Sequence, residues 1–360
     1  MAIEIREIDV DGYEIVIEGK NQEVGLHCLI AVHSTALGPA LGGTRIYPYT
    51  SFDEALTDVL RLSKGMTYKS AMAEIGLGGG KSVIIADPKT QKTPELLMAF
   101  GEVVDSLKGK YVCAEDMGSN PDDLACVSKT TPYVAALEGD TGSGDPSPFT
   151  AWGVFRGIQA VCRELWHSDL IRGKRIAIQG LGHVGYVLAE HLFWHGAELI
   201  VCDPHTESCE KAKHYLGAEV VGLDEILSVE CDILAPCAIG GVINDQSIEK
   251  LRCSAIAGAA NNLLLNPEHD QVLADKGILY APDYVINAGG VINAAMEFEQ
   301  GGYNARNSRN KVSRLYRVLM SVFGLAQQKQ IPTGQAANCL AEYKMSNAIG
   351  KRMAALPLMR

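Results

Sequence analysis

The sequence predicts an α/β protein with two domains, the second of which is built on a parallel, doubly wound sheet. Three observations lead to this fold class. The chain has 360 residues, which is enough for two domains with well-buried cores. Its second half alternates strand-like apolar runs with helix-like segments, as a parallel sheet covered by helices requires. A glycine-rich turn at residues 180–185 follows one of these strands and begins a helix.

Residues 1–142 are expected to form the first α/β domain. The N-terminal residues alternate polar and apolar side chains like strands, and residues 23–32 predict a further strand. Ser51, with Glu54 three residues later, has the capping-box pattern and predicts the start of a helix. Short buried strands are predicted at residues 82–86 and 110–114.

Residues 143–330 are expected to form the second domain. The segment 139–150 is rich in Gly, Ser and Pro, and we interpret it as the hinge between the domains. A long amphipathic helix is predicted around residues 309–328, and residues 331–360 are expected to return to the first domain. The alternating elements are predicted as strands at 174–179, 198–202, 232–236, 255–258 and 278–281, and helices at 184–195 and 207–216.

The composition excludes several classes of function. A formal charge of -11 and a pI near 5.3 argue against nucleic acid or an anionic membrane as the main partner. We find neither a secretory signal pattern at the N-terminus nor an apolar run of the roughly 18 residues that cross a bilayer. The ten cysteines show neither C-x-x-C nor zinc spacing, so we expect reduced thiols, no metal and a cytoplasmic protein.

The glycine-rich turn predicts a dinucleotide site. Gly180, Leu181, Gly182, His183, Val184 and Gly185 match G-x-G-x-x-G between a strand and a helix, where backbone N–H groups can bind a pyrophosphate. The next strand ends at Asp203, whose carboxylate suits the adenosine ribose hydroxyls and repels a 2′-phosphate. NAD is therefore the predicted cofactor, although His205 leaves some use of NADP open.

Two lysines predict the chemistry of the first domain. Lys69 and Lys81 lie in a segment of small side chains, and Lys81 follows three consecutive glycines. Such glycines permit positive φ and a close approach of the backbone to a ligand, and we expect Lys81 in this setting to be poorly hydrated, with a lowered pKa, and able to act as a base. A phosphate-binding P-loop is excluded because Ile75 stands where its first glycine is required. A solvated surface lysine is the alternative.

A carboxylate is predicted to accompany these lysines. Asp116 directly follows a predicted strand, at a position typical of active sites. The alternative for Asp116 is a helix or turn cap.

Eight segments of the chain resemble the amino-acid dehydrogenase family that acts on glutamate, leucine, phenylalanine and valine. The likeness runs almost end to end and is greatest to the members that act on leucine. The segments are GPALGGTRIYP (38–48), GMTYKSAMAEIGLGGGKSVI (65–84), AEDMGSNPDD (114–123), SGDPSPFTAWGV (143–154), GLGHVG (180–185), APCAIGGVIN (235–244), AGAANNLL (258–265) and DYVINAGGVINAAMEF (283–298).

The resemblance implies a substrate and assembly domain, a Rossmann-type NAD domain, and a cleft between them. It implies reversible oxidative deamination of an L-amino acid to a 2-oxo acid and ammonia, with leucine preferred. Lys81 would be the base, Asp116 the proton shuttle and Lys69 the anchor of the substrate carboxylate. The other substrate-binding residues it implies are Leu41, Gly42, Gly43, Ala114, Asn262, Val291 and Ala294; the further cofactor-binding residues are Thr150, Cys237, Ala238 and Asn262.

Several alternatives stay open at this point. An aromatic amino-acid dehydrogenase differs only in pocket volume, and Ala294 stands where the family often has a larger valine. A non-catalytic NAD-binding regulator is disfavoured because Lys81 and Asp116 are both present. A glutamate enzyme is disfavoured because the pocket segments offer no extra cation. The resemblance implies a homo-oligomer, a dimer or an octamer.

Overall fold

Two six-stranded sheets organise the chain, one in each of two units. The computed structural model describes residues 3–135, 137 and 142–357. The first unit takes its described residues from 1–144, 294–304 and 341–360, and the second from 145–293 and 305–340.

The first unit contains a mixed sheet with the order β1-β2-β3-β5-β4-β6. Strands β1, β2, β3 and β5 pair antiparallel, whereas β4 pairs parallel with both β5 and β6. The elements are β1 (Glu4–Glu7), β2 (Ile15–Asn21), β3 (Leu26–Ser34), β4 (Ala40–Tyr47), α1 (Phe52–Ala73), β5 (Gly78–Ile85), α2 (Pro94–Ser106), β6 (Tyr111–Glu115) and α3 (Pro121–Val127).

The second unit contains an all-parallel sheet with the order β9-β8-β7-β10-β11-β12. This is the doubly wound order. From β7 the strand order runs outward in one direction to β9, and from β10 it runs in the other direction to β12. Open α/β sheets bind ligands at such a switch point, here between β7 and β10. The elements from here to the C-terminus are α4 (Ser147–Trp166), β7 (Arg175–Gln179), α5 (His183–Trp194), β8 (Glu198–Cys202), α6 (Thr206–Leu216), β9 (Glu219–Val220), β10 (Cys231–Pro236), α7 (Asp245–Ile248), β11 (Cys253–Ile256), α8 (His269–Asp275), β12 (Leu279–Tyr280), α9 (Asp283–Ile286), α10 (Gly289–Ala295), a 3₁₀ turn (Met296–Phe298), α11 (Ala305–Val312), α12 (Leu315–Lys329) and α13 (Thr333–Ser346).

The unit boundaries fall inside two of these helices. Helix α10 passes from the second unit to the first after residue 293, and α13 does so after residue 340. The sequence analysis placed the divisions after residues 142 and 330. The division predicted after residue 142 lies two residues before the observed change of unit after residue 144. The returns to the first unit after residues 293 and 340 lie inside continuous helices, where no turn residue marks a boundary in the sequence.

Helix α1 begins as predicted but forms only half of the capping box. The Ser51 hydroxyl accepts from the Glu54 N–H at 3.1 Å, whereas the Glu54 carboxylate accepts from the Thr50 N–H instead of that of Ser51. The helix then continues for 22 residues to Ala73 and therefore includes Lys69.

The three glycines before Lys81 do not use the positive φ that glycine permits. Gly78, Gly79 and Gly80 belong to β5, and their φ values are not positive. Close backbone approach does occur, because a Cβ on Gly79 would lie 2.0 Å from the Thr67 backbone nitrogen of α1. Glycine is needed here so that the helix can pack directly on the strand.

Two further expectations meet the structure differently. The helix predicted around residues 309–328 is two helices, α11 and α12, because the chain turns at residues 313–314. The predicted hinge, 139–150, lies partly outside the described residues, and its last four residues form the first turn of α4.

The C-terminal residues complete the first unit. Lys344 is buried and pairs with Glu74 at 2.6 Å, at the end of α1. The Arg352 guanidinium donates to the carbonyl oxygens of Gly76 and Phe298 at 3.2 and 2.7 Å. Among the described residues, no helix is long and apolar enough to cross a membrane.

Candidate active site

A buried lysine and a carboxylate form the centre of the candidate site in the first unit. Lys81 lies on β5 with only 5% of its surface exposed. Its Nζ is 3.0 Å from Oδ1 of Asp116, the residue directly after β6. The structure thus brings together the two predicted catalytic residues, which are 35 positions apart in the chain.

Burial and neighbouring charges shift the pKa values of both groups. Burial lowers the pKa of Lys81; Asp116 opposes this shift, and the Arg45 cation adds to it. Burial alone would raise the pKa of Asp116, but Lys81 and Arg45 outweigh it and hold that pKa below its usual range. The lowered pKa of Lys81 agrees with the expectation from the sequence, and Arg45 is a cation that assists it.

Arg45 is a site residue that the sequence analysis missed. Its Nε donates to Asp116 Oδ2 at 2.9 Å, and its Nη1 donates to Asp58 Oδ2 at 2.8 Å. Asp58, on α1, also accepts from the Tyr49 hydroxyl at 2.7 Å. A signal was available, because Arg45 is a charged residue in β4 between the buried residues Thr44 and Ile46.

The predicted substrate residues of β4 and β6 lie beside this pair. Gly43 is opposite Ala114 in the parallel register, and a Cβ on Gly43 would lie 2.7 Å from Asp116 Cβ. Glycine at this position therefore allows the Asp116 side chain to pack directly against β4. The Gly42 carbonyl accepts from the buried Tyr111 hydroxyl at 2.7 Å, and Leu41 is buried at the start of the strand.

Lys69 lies near the end of α1 and is half-buried. Helix α1 packs on β5 through Gly79, two residues before Lys81. The predicted substrate anchor and the predicted base are thus carried by two elements in direct contact.

The second unit holds the predicted dinucleotide loop between β7 and α5. Gly180 has a φ of +98°, and a Cβ on Gly185 would lie 2.0 Å from the Gly180 carbonyl oxygen, so the turn is tight. A Cβ on Gly182 would meet no atom within 4 Å. In the part of the chain that the structure describes, no side chain caps the N-terminus of α5.

These features fit NAD. The open space at Gly182 and the uncapped N–H groups of α5 suit a pyrophosphate. The predicted loop residues Leu181, His183 and Val184 lie at this turn, with Leu181 buried and His183 exposed. Cys237 and Ala238 follow β10 across the switch point, where Ala238 Cβ packs against Gly180.

Asp203, which was predicted to bind the adenosine ribose, also forms a hydrogen bond to the dinucleotide loop. Its Oδ2 accepts from the Leu181 N–H at 2.6 Å, and its Oδ1 accepts from the His205 N–H at 2.7 Å. Each carboxylate oxygen has a second lone pair, so ribose hydroxyls can still be bound. Asp203 therefore shapes the loop as well as offering a partner to the sugar.

Asn262 projects from a loop that is fixed by its neighbours. It has a left-handed φ of 51°, and its carbonyl accepts from the Gly241 N–H at 2.7 Å. Asn287 donates from Nδ2 to the Ala259 carbonyl and to Asn261 Oδ1. The Asn287 Oδ1 atom is buried and has no hydrogen-bond partner among the described residues.

The remaining predicted residues lie on α4 and α10. A Cβ on Gly290 would lie 2.9 Å from the Thr150 hydroxyl oxygen, so Thr150 is next to the start of α10. Val291 and Ala294 are three residues apart on that helix, on one half-buried face. Among the described residues, no group of His, Cys, Asp and Glu could hold a metal ion.

Comparison with known proteins decides the family. Residues 14–133 match the model described as Glu/Leu/Phe/Val dehydrogenase, dimerisation domain, and residues 203–352 match that of Glutamate/Leucine/Phenylalanine/Valine dehydrogenase. The chain belongs to this dehydrogenase family. The match confirms the predicted family, the two-domain fold class, the enzyme class and NAD as the cofactor.

Relatives of this dehydrogenase differ in the amino acid that they are named for. Leucine dehydrogenase of Thermoactinomyces intermedius is 46% identical over 334 residues, covering 92% of this chain and 91% of that protein. Phenylalanine dehydrogenase of Caldalkalibacillus thermarum is 46% identical over 342 residues, covering 93% and 92%. The crystal structure of L-tryptophan dehydrogenase from Nostoc punctiforme has a TM-score of 0.85 at 44% identity, covering 94% of this chain and 97% of that chain.

Proposed function

We propose that this dehydrogenase catalyses the reversible, NAD-dependent oxidative deamination of a branched aliphatic L-amino acid, with leucine preferred. The products are the 2-oxo acid and ammonia. The observation that carries this proposal is the Lys81–Asp116 pair, a buried amine 3.0 Å from a carboxylate. Such a pair provides a base of lowered pKa beside a group that can accept and return a proton.

NAD, when bound, supplies the acceptor for the α-hydrogen and its electron pair. Deamination then requires that water add to the α-carbon and that ammonia leave. Neutral Lys81 takes a proton from that water, and Asp116 moves protons between Lys81 and the departing nitrogen. Burial lowers the pKa of Lys81, which increases the fraction of the neutral form that can accept this proton.

Lys69 is proposed to bind the substrate carboxylate. An ammonium group holds this anion in the ground and transition states alike, so it contributes mainly to affinity. The half-buried position of Lys69 on α1 supports this role, since partial burial strengthens a charge–charge contact.

The proposed preference for leucine depends on four apolar side chains, those of Leu41, Ala114, Val291 and Ala294. None can bond a polar group, so a glutamate, aspartate or lysine substrate would bury an unpaired charge. The relatives named for leucine support a branched aliphatic substrate. The small Ala294, and the relatives named for phenylalanine and tryptophan, favour aromatic substrates as the second candidate.

Initial rates of NAD reduction with each of the twenty L-amino acids test the proposal. We expect leucine, valine and isoleucine to have the highest kcat/KM, and the charged amino acids to be rejected. One methylene contributes only about 1–3 kcal/mol of discrimination, so phenylalanine is expected to react measurably. If phenylalanine or tryptophan exceeded leucine tenfold in kcat/KM, the substrate assignment would be wrong while the reaction remained.

We further propose that the enzyme is a cytoplasmic homo-oligomer, a dimer or an octamer. The match of residues 14–133 to a dimerisation domain supports self-association. Light scattering on the eluting peak of a sizing column measures the mass directly. A mass of 38.7 kDa, that of one chain, would contradict the proposal.

A further inference from the structure

The two oxygens of the Asp116 carboxylate have different partners. Oδ1 faces Lys81 Nζ at 3.0 Å, and Oδ2 accepts from Arg45 Nε at 2.9 Å. We propose that Arg45 is the positioning residue of this acid–base pair: it fixes Oδ2, so that Oδ1 alone faces the amine of Lys81. The inference rests on the proposed function, because it assigns a role within the same reaction.

Arg45 is itself held in place. Its Nη1 donates to Asp58 Oδ2, and the same oxygen accepts from the Tyr49 hydroxyl. The side chain of Arg45 is 19% exposed and that of Asp58 is 16% exposed, so solvent screens their contacts only in part. A planar guanidinium can bind two carboxylates at once in fixed directions, which a lysine cannot do.

The charges of this network have a consequence for Lys81. Arg45 offsets the charge of Asp116, which would otherwise stabilise the ammonium form of Lys81. The direction of each influence agrees, since Asp116 raises the pKa of Lys81 and Arg45 lowers it. The charged groups that act on Lys81 are Asp116 directly after β6, Arg45 from β4 and Asp58 from α1.

A cavity beside Arg45 makes the proposal testable by chemical rescue. Its volume is about 620 Å³, and its lining includes Arg45, Tyr49, Asp58, Arg61 and Met117. Truncation of Arg45 would connect this cavity to the space next to Asp116 Oδ2. A small guanidinium compound added to the solution could then occupy the place of the lost side chain.

The experiment compares pH profiles of kcat/KM for leucine in the unaltered enzyme and in Arg45→Ala. We expect the acidic limb of the Arg45→Ala profile to move to higher pH by about one unit. At a fixed pH on that limb, kcat/KM should then be about tenfold lower than in the unaltered enzyme. Activity should recover at higher pH, and the Kd of NAD should not change. Ethylguanidinium at low concentration should restore part of the activity of Arg45→Ala.

Arg61→Ala is the matched control. Arg61 lines the same cavity and pairs with Asp58 through its other oxygen, but its side chain is 54% exposed. We expect its pH profile to coincide with that of the unaltered enzyme and ethylguanidinium to have no effect. An equal shift in Arg61→Ala would show a general charge effect and overturn the assignment.

A second variant covers a failure of Arg45→Ala to fold. Arg45→Lys keeps a cation but cannot bind Asp58 and Asp116 together, so we expect a smaller upward shift of the limb. An unshifted limb in the variant that folds would overturn the positioning role. If instead the unaltered enzyme reduced no NAD with any amino acid, the proposed function itself would have failed.

Discussion

The lysine segment, residues 65–82, and the dinucleotide loop, residues 180–185, are both rich in glycine but use it in opposite ways. In the lysine segment, a Cβ on Gly79 would lie 2.0 Å from the backbone of α1. In the loop, a Cβ on Gly182 would meet nothing within 4 Å. Glycine serves protein packing in the first case and leaves room for a ligand in the second.

The polar groups of the two regions differ in the same way. In the first unit, Lys81, Asp116 and Arg45 form ion pairs with protein partners, so this part of the site is organised before substrate arrives. At the start of α5, the described residues supply no side-chain cap, and the backbone N–H groups are available to an anion. The comparison teaches that a glycine-rich segment has to be judged by what surrounds it.

Of the substitutions that test this comparison, Lys81→Ala should cause the largest loss of activity. Loss of the base should lower kcat by roughly 10²–10⁴-fold, the usual contribution of general acid–base catalysis. The Kd of NAD should not change, because the loop is in the other unit. Lys69→Ala should instead mainly raise KM. Steady-state kinetics measures kcat and KM, and fluorescence titration with NADH measures the affinity for the cofactor.

The role of Lys81 as a base also predicts how kcat/KM depends on pH. Below its pKa Lys81 is protonated and cannot accept a proton, so kcat/KM should fall about tenfold per unit as the pH decreases through that pKa. The acidic limb should lie below the usual lysine range, because burial lowers the pKa. The control is Lys344→Ala, which removes a buried lysine elsewhere and should keep the acidic limb of the pH profile unchanged. Near-normal turnover in Lys81→Ala would refute the assignment of Lys81 as the base.

Paired alanine substitutions at two glycines should separate packing from ligand space. Gly79→Ala should destabilise the protein by about 3 kcal/mol or more, since the new methyl group meets the backbone of α1. Gly182→Ala should leave the Tm unchanged and weaken NAD binding about tenfold, or about 1.4 kcal/mol. Thermal unfolding and NADH titration decide this, and equal losses of Tm would contradict the comparison.

Asp203→Ser should have the smallest effect. The NADP/NAD ratio of kcat/KM should rise, because the carboxylate that repels a 2′-phosphate is removed. NAD affinity should fall, because Asp203 also binds the Leu181 and His205 N–H groups. If the unaltered enzyme already preferred NADP, the interpretation of this strand end would be wrong.

Local signals allowed much of the fold to be predicted from the sequence. Strand β8 was predicted with its observed bounds, because an apolar run ends there at a proline-containing turn. Asp116 and Asp203 were found as carboxylates that directly follow buried strands. Each of these signals lies within a few neighbouring residues.

Long-range packing was not predictable in this way. Arg45 is 71 residues from Asp116 in sequence, and no local pattern announces their contact. The three glycines before Lys81 permit positive φ, but they form part of β5, on which α1 packs directly. Glycine permits both conformations, so only the tertiary neighbours could decide between them.

The contacts of Arg352 affect the order in which the chain can fold during synthesis. Domains usually fold as they emerge from the ribosome, the N-terminal one first. Here the first unit needs Arg352 to bind the Gly76 and Phe298 carbonyls, whereas the described residues of the second unit end at residue 340. The first unit is therefore completed only after residues 305–340 of the second unit and Arg352 have been synthesised.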